Sequence, residues 1–265
     1  MTVIDATFNQ LTTNKEKALI TYICGGDPDI KTSIEIAKIV EKYSDVIELG
    51  IPFSDPIADG PTIQKATERA LLAGTKPKEV LELASNLKKP VVIMTYYNII
   101  YKYGIRKFCE DAKRNNVRGI IIPDLPPEEA KDILSYADGL DSIFLISPSS
   151  TDERIKLISE VSSGFIYLVS LLGTTGEREQ LSKDAKQLVA RVKNFTNKPL
   201  ALGFGISKSE HVRDALSYGA DGVIVGSALV KRIEENLSDK NTMLRSVENF
   251  CKELRDALNG SAKHL

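Results

Sequence analysis

Residues 45–74 read DVIELGIPFSDPIADGPTIQKATERALLAG, and the stretch spells one strand, one loop and one helix. The run at 45–51 is apolar and rich in β-branched residues, the run from Pro61 to Gly74 carries apolar residues at helical spacing, and a Pro- and Gly-rich segment joins them. The same grammar recurs along the chain. Strand-like runs stand at 18–24 (ALITYIC), 90–96 (PVVIMTY), 118–124 (RGIIIPD), 141–147 (DSIFLIS), 164–170 (GFIYLVS), 198–204 (KPLALGF) and 221–226 (DGVIVG), which with 45–51 makes eight. Helical patterns at 29–43, 105–116 and 127–137 lie between them, and a closing helix over 241–260 is expected to stop at Gly260. Strands alternating with helices in this number predict an α/β fold of the (β/α)8, or TIM, barrel class. A doubly wound open sheet is the alternative, disfavoured because no Gly-rich dinucleotide fingerprint follows the first strand.

The 265 residues fit one barrel domain over 1–265, with 258–265 expected to fray. A 42% hydrophobic and 27% charged composition supplies a sizeable core. The formal net charge of -1 offers no basic field for a phosphate backbone, so nucleic acid is not expected as a partner. Nor is a membrane: no apolar run is long enough to span one, and the first residues lack the pattern of a secretion signal, so a cytoplasmic protein is expected. Cys24, Cys109 and Cys251 are far apart and in no metal-binding or disulfide spacing, so they read as buried thiols.

Within the opening stretch Glu48 is the anomaly. Strand alternation puts Val46, Glu48 and Gly50 on one face and Ile47, Leu49 and Ile51 on the other. If the first face points into the barrel, Glu48 is a carboxyl group in an apolar interior near the strand's C-terminal end, the rim where barrel active sites are built. A buried ion pair would be the structural alternative, but no strand interior offers a Lys or Arg for it. Asp59 in the following Asp-Gly is by itself an ordinary turn residue. No strand lysine suits Schiff-base chemistry, and the two histidines, His211 and His264, are off the strands, so metal-free acid–base chemistry by carboxylates is expected.

The opposite part of the rim carries glycines. GFGIS (203–207) follows the seventh run and Gly226-Ser227 follows the eighth, each leading into a helix. Loops in these two places form the recurrent phosphate cradle of such barrels, since glycine lets the backbone approach an anion and a helix N-terminus presents free N–H groups. Alternatively, the glycines permit tight turns and Ser207 and Ser227 cap helices. The long polar segment SLLGTTGEREQLS (170–182) reads as a glycine-hinged lid that could add the Gly176 N–H to the phosphate.

Several of these motifs together carry a resemblance: ELGIPFSDPIADGPTIQ (48–64), GGDPD (25–29), GIIIPDLPPEE (119–129), GFIYLVSLLGTTG (164–176), GFGIS (203–207) and GADGVIVGSALV (219–230). In this order the chain resembles the tryptophan synthase α subunit family over nearly its whole length. The resemblance implies retro-aldol cleavage of indole-3-glycerol phosphate to indole and glyceraldehyde 3-phosphate. It implies Glu48 as general acid and base, Asp59 as the group that holds the indole N–H, and Tyr167 beside the glutamate. Gly176, Phe204, Gly205, Gly226 and Ser227 match the family's phosphate contacts, and Tyr22, Tyr96, Ile121, Leu145 and Phe204 would wall the indole pocket; Ile121 and Leu145 fit ordinary barrel core equally well. Tyr22 stands where many relatives carry Phe, and the lid reads GTTG where GVTG is common, with Thr175 at the position used near Asp59. No cofactor is implied for this chain; a β subunit carrying pyridoxal phosphate is the implied partner, facing the loop Pro52–Ala58 and the lid in an α2β2 assembly. A free-standing lyase with the same residues and a catalytically silent scaffold barrel are the rival readings.

Overall fold

The computed structural model of the chain describes residues 1–169, 178–203 and 205–262. All its strands belong to one parallel sheet: β1 (Ala18–Cys24), β2 (Val46–Gly50), β3 (Val91–Met94), β4 (Val117–Ile121), β5 (Asp141–Ile143), β6 (Leu145–Ile146), β7 (Ile166–Val169), β8 (Leu200–Gly203) and β9 (Gly222–Val225). Their spatial order is β5-β4-β3-β2-β1-β9-β8-β7-β6. The two end members are consecutive in the chain, so the sheet curls round on itself as a (β/α)8 barrel. The fifth of the eight expected runs is the one divided: β5 pairs with β4, β6 pairs with β7, and the intervening Phe144 carbonyl accepts the Tyr167 N–H at 3.1 Å. That run changes neighbours at Phe144 to close the ring.

Twelve α-helices occur among the described residues: α1 (Val3–Thr13), α2 (Ile30–Glu41), α3 (Pro61–Leu72), α4 (Pro77–Ala84), α5 (Tyr97–Tyr103), α6 (Ile105–Arg114), α7 (Lys131–Tyr136), α8 (Asp152–Val161), α9 (Arg178–Lys193), α10 (Ser209–Ser217), α11 (Ser227–Glu234) and α12 (Lys240–Ala262). Strand alternation sorts side chains into two cores. Outward residues such as Leu19, Ile23, Ile47, Leu49 and Ile93 pack under the helices, while Ile20, Val46, Val92, Ile121, Ile143 and Ile224 fill the barrel.

The two ends of the chain also differ from the reading of the sequence. Helix α1, not foreseen, delivers Ile4, Phe8 and Leu11 into the inner core, with the Phe8 and Phe165 rings 5.8 Å apart. A capping box starts it: Asp5 N–H donates to the Thr2 hydroxyl at 3.1 Å and Thr2 N–H to the Asp5 carboxylate at 2.9 Å. At the other end, α12 runs through Gly260 to Ala262 instead of stopping at the glycine, and Leu258 is buried instead of fraying. The cause is the apolar stripe Met243, Val247, Phe250, Leu254 and Leu258, which packs into the outer core and carries the helix on. Arg255 on the same helix donates to the Asp45 carboxylate at 2.7 Å, just ahead of β2. The three cysteines are free and buried, and no helix among the described residues is long and apolar enough to cross a membrane.

Candidate active site

Glu48 points into the barrel from β2, flanked in register by Tyr22 of β1 and Val92 of β3. It is 1% exposed, and its Oε2 has no hydrogen-bond partner among the described residues. Burial, with the nearby negative charge of Asp59 as a second cause, raises its pKa from 4.5 to about 8. At neutral pH this carboxyl group holds a proton that it can give away.

Asp59 reaches the same space from the loop between β2 and α3. A turn closed by the Asp59 N–H on the Pro56 carbonyl (3.1 Å) shapes the loop, and the Gln64 side-chain amide donates to the Asp59 carbonyl at 2.8 Å. The carboxylate is aimed by Tyr96, whose hydroxyl donates to Asp59 Oδ2 at 3.0 Å while accepting the Ala58 N–H at 3.0 Å. Burial raises the Asp59 pKa and the Tyr96 hydrogen bond partly offsets it. Tyr96 therefore differs from its expected place as an indole-pocket wall. It sits just past the end of β3, packs its ring 5.1 Å from that of Phe53, and holds the loop from behind.

A cavity of about 400 Å³ opens in front of these acids. Tyr22, Ile121, Leu145 and Tyr167 line it, as do Met94 and Ile63, which sequence reasoning did not single out. Two strand glycines make the space for its tyrosines. A Cβ on Gly50 would lie 2.2 Å from the Tyr22 hydroxyl, and one on Gly203 would lie 2.5 Å from the Tyr167 ring. Glycine inside a strand is the local signal of such close approach. Burial holds both phenols well above their ordinary pKa, so they stay neutral, with the charges of Glu48 and Asp59 acting in the same direction.

The far end of the cavity is lined by Gly205, Ile206, Ser207, Gly226, Ser227 and Ala228. Gly226 is the N-cap of α11 and has no side chain to bond the helix's first N–H groups, while its own Cα packs against Tyr22 so closely that a Cβ would lie 3.3 Å from the Tyr22 Cβ. Neither serine caps its helix: Lys208 holds the N-cap position of α10 and Gly226 that of α11. The Ser207 N–H instead donates to His211 Nδ1 at 3.2 Å, which gives that histidine a place behind the loop. Gly176, Thr175 and Phe204 lie outside the described residues. Among the described residues no group of three or more His, Cys, Asp or Glu is placed to hold a metal ion.

An apolar cavity with a protonated carboxyl on its floor, an aimed carboxylate at its side and open helix N–H groups at its end suits a substrate with an aromatic and an anionic part. The sequence profile of the family described as tryptophan synthase alpha chain matches residues 8–259. The chain belongs to the tryptophan synthase α chain family. The α chain of Methanocaldococcus jannaschii is 46% identical over 250 residues, covering 92% of this chain and 88% of that one. That of a Thermoanaerobacter species is also 46% identical, over 97% of this chain and all of its own. Among solved structures, the α subunit from Legionella pneumophila superposes with a TM-score of 0.90 at 36% identity, covering 98% of this chain and 99% of that one. A chain of the Pyrococcus furiosus α2β2 complex superposes with a TM-score of 0.84 at 43% identity, covering 90% of this chain and 98% of its own. Tryptophan synthase α chains are lyases that cleave indole-3-glycerol phosphate to indole and glyceraldehyde 3-phosphate; they carry no cofactor, and pyridoxal phosphate belongs to the β subunit.

Proposed function

We propose that this chain cleaves indole-3-glycerol phosphate in the cavity above Glu48, with the residues dividing the work as follows. The indole ring lies between Tyr22, Ile121 and Leu145, and the phosphate lies against Gly205, Gly226 and Ser227 at the N-terminus of α11. Glu48 gives its proton to indole C3, which moves positive charge onto the ring nitrogen. Asp59, held by Tyr96, accepts a hydrogen bond from the indole N–H and stabilises that cation. The ionised Glu48 then takes the proton of the glycerol hydroxyl. That oxygen forms the aldehyde as the carbon–carbon bond breaks, and the bonding pair returns to the ring to restore indole. One proton moves in and one moves out, and no water is consumed.

The observation that carries this reading is the buried carboxyl of Glu48 at the floor of the cavity, one oxygen of which has no partner among the described residues. A group with its pKa near working pH serves equally as acid and as base. Gly176, Phe204 and Thr175 belong to the proposal through the family pattern: the first two as phosphate contacts, Phe204 also as a pocket wall, and Thr175 near Asp59. Tyr167 lines the same cavity as Glu48, which supports the place beside the glutamate that the family pattern gives it.

Ile57, 84% exposed on the loop that aims Asp59, supports that loop as the face that meets a β subunit. An α2β2 assembly would then couple docking to the placement of Asp59, and the family's biosynthetic role supports a cytoplasmic setting. The experiment is to quantify indole from indole-3-glycerol phosphate with and without an added β subunit. Slow release that rises with the partner is expected; release that is fast and indifferent to the partner would make the chain self-sufficient, and none in either case would overturn the reading.

A further inference from the structure

We infer that Lys231 is a binding residue for the substrate's phosphate, the cation that pairs with it at the start of α11. The inference rests on the reading of the site given above. Lys231 lines the cavity beside Ser207, Gly226, Ser227 and Ala228, and it is the one cationic side chain among the described lining residues. The other ionisable groups on that lining, the tyrosine hydroxyls aside, are the carboxyls of Asp59 and of Glu48, which keeps its proton near neutral pH. A phosphate monoester carries a charge of about -1.5 to -2 near neutral pH, and among the described lining residues the rest of the cradle offers it only backbone dipoles and the Ser207 and Ser227 hydroxyls, with Lys231 as the one positive charge.

Helix geometry lets Lys231 reach. It follows Ser227 by four residues, so the two share one face of α11 and stand one turn, about 5.4 Å, apart along the axis. Helical side chains lean toward the N-terminus, and a four-carbon stem is long enough to bring the ammonium back over that turn to the open N–H groups, although in this structure it rests on the other side, toward Glu235. Nearby cations are engaged elsewhere: Arg69 with Asp27 at 2.7 Å and Lys65 with Glu234 at 3.1 Å. The Lys231 contact is looser, 3.8 Å to Glu235 between side chains 65% and 54% exposed, in the less favourable order with the lysine first. Little holds the ammonium away from an arriving dianion. On the β8 side the Ser207 N–H is already donated to His211, which leaves more of the anion's charge to be met from α11.

The test compares the wild-type chain with Lys231→Gln and Lys231→Arg, using inorganic phosphate as the probe in direct titration and indole-3-glycerol phosphate in turnover. Lys231→Gln should weaken phosphate binding and raise KM by about 5- to 20-fold each, with kcat within about twofold and a shallower salt dependence. Affinity for free indole should not move, and Lys231→Arg should restore most of the loss. Phosphate affinity and KM within twofold of wild type in Lys231→Gln, or an equal fall in indole affinity, would overturn the inference. Failure of the underlying reading is distinguishable: there the wild-type chain itself releases no indole, whatever the phosphate titration gives.

Discussion

Asp27 and Glu48 are both 1% exposed and both lie near the barrel's catalytic rim, yet their surroundings are opposite. Asp27, in the loop between β1 and α2, receives Arg69 through two hydrogen bonds of 2.7 and 2.8 Å. Glu48 has an oxygen with no partner among the described residues. A buried carboxyl must lose its charge or have it answered. At Asp27 a guanidinium answers it, and α3 is thereby tied to the loop after β1. At Glu48 a proton answers it, and a proton can leave.

The comparison breaks most decisively at Glu48. Glu48→Gln should lose about 10³- to 10⁴-fold in turnover while still binding substrate, measured as indole release and as affinity for glyceraldehyde 3-phosphate. Retention of substantial turnover would remove the acid–base role. The paired acid should respond in stability first: Arg69→Met strands the Asp27 charge and should cost about 3–5 kcal/mol in denaturant unfolding. Adding Asp27→Asn to that variant should recover a large part, and failure to do so would mean that Arg69 acts through packing and not through charge.

A smaller effect sharpens the contrast through pH. The pKa of Glu48 is raised on folding, from 4.5 to about 8, so between those values the folded chain keeps a proton that the unfolded chain releases. Stability from this group is complete below about 4.5, declines as pH rises towards 8, and changes little beyond. At pH 8.5 Glu48→Gln should therefore be more stable than wild type by about 1–3 kcal/mol, with the gap closing at pH 5, as unfolding at the two pH values would show. Equal stability at pH 8.5 would mean that the glutamate finds a counter-charge. Smallest is Tyr96→Phe, which removes one hydrogen bond to Asp59 and should reduce kcat about 10-fold with KM little changed. A larger rise in KM than fall in kcat would assign Tyr96 to binding.

Much of the barrel was legible because its signals are local. Alternation along 45–51 grouped Glu48 with Val46 and Gly50, the face that turns inward, and the lack of strand cations argued against an ion pair, in keeping with an Oε2 that has no partner among the described residues. The glycines after β8 and β9, expected to form either a phosphate cradle or tight turns, line the same cavity as Glu48. Tyr96 was harder to read: the family resemblance suggested a pocket wall, whereas its hydroxyl is used on Asp59, 37 residues away. The helix through Gly260 was misread for a related reason, since propensity at one residue was outweighed by the burial of Leu258 and the stripe before it.

By itself the sequence determined the alternation of eight strand runs with helices, the face that Glu48 shares with Val46 and Gly50, and the residues offered to the rim. These follow from periodicity and backbone preference, which act over a few residues. Only the tertiary structure decided that Phe144 is where the barrel changes neighbours, that Tyr96 aims Asp59, that Arg69 answers Asp27, and that Lys231 shares a cavity with the acids. Those are distances between residues far apart in the chain, and closure of the sheet sets them all together.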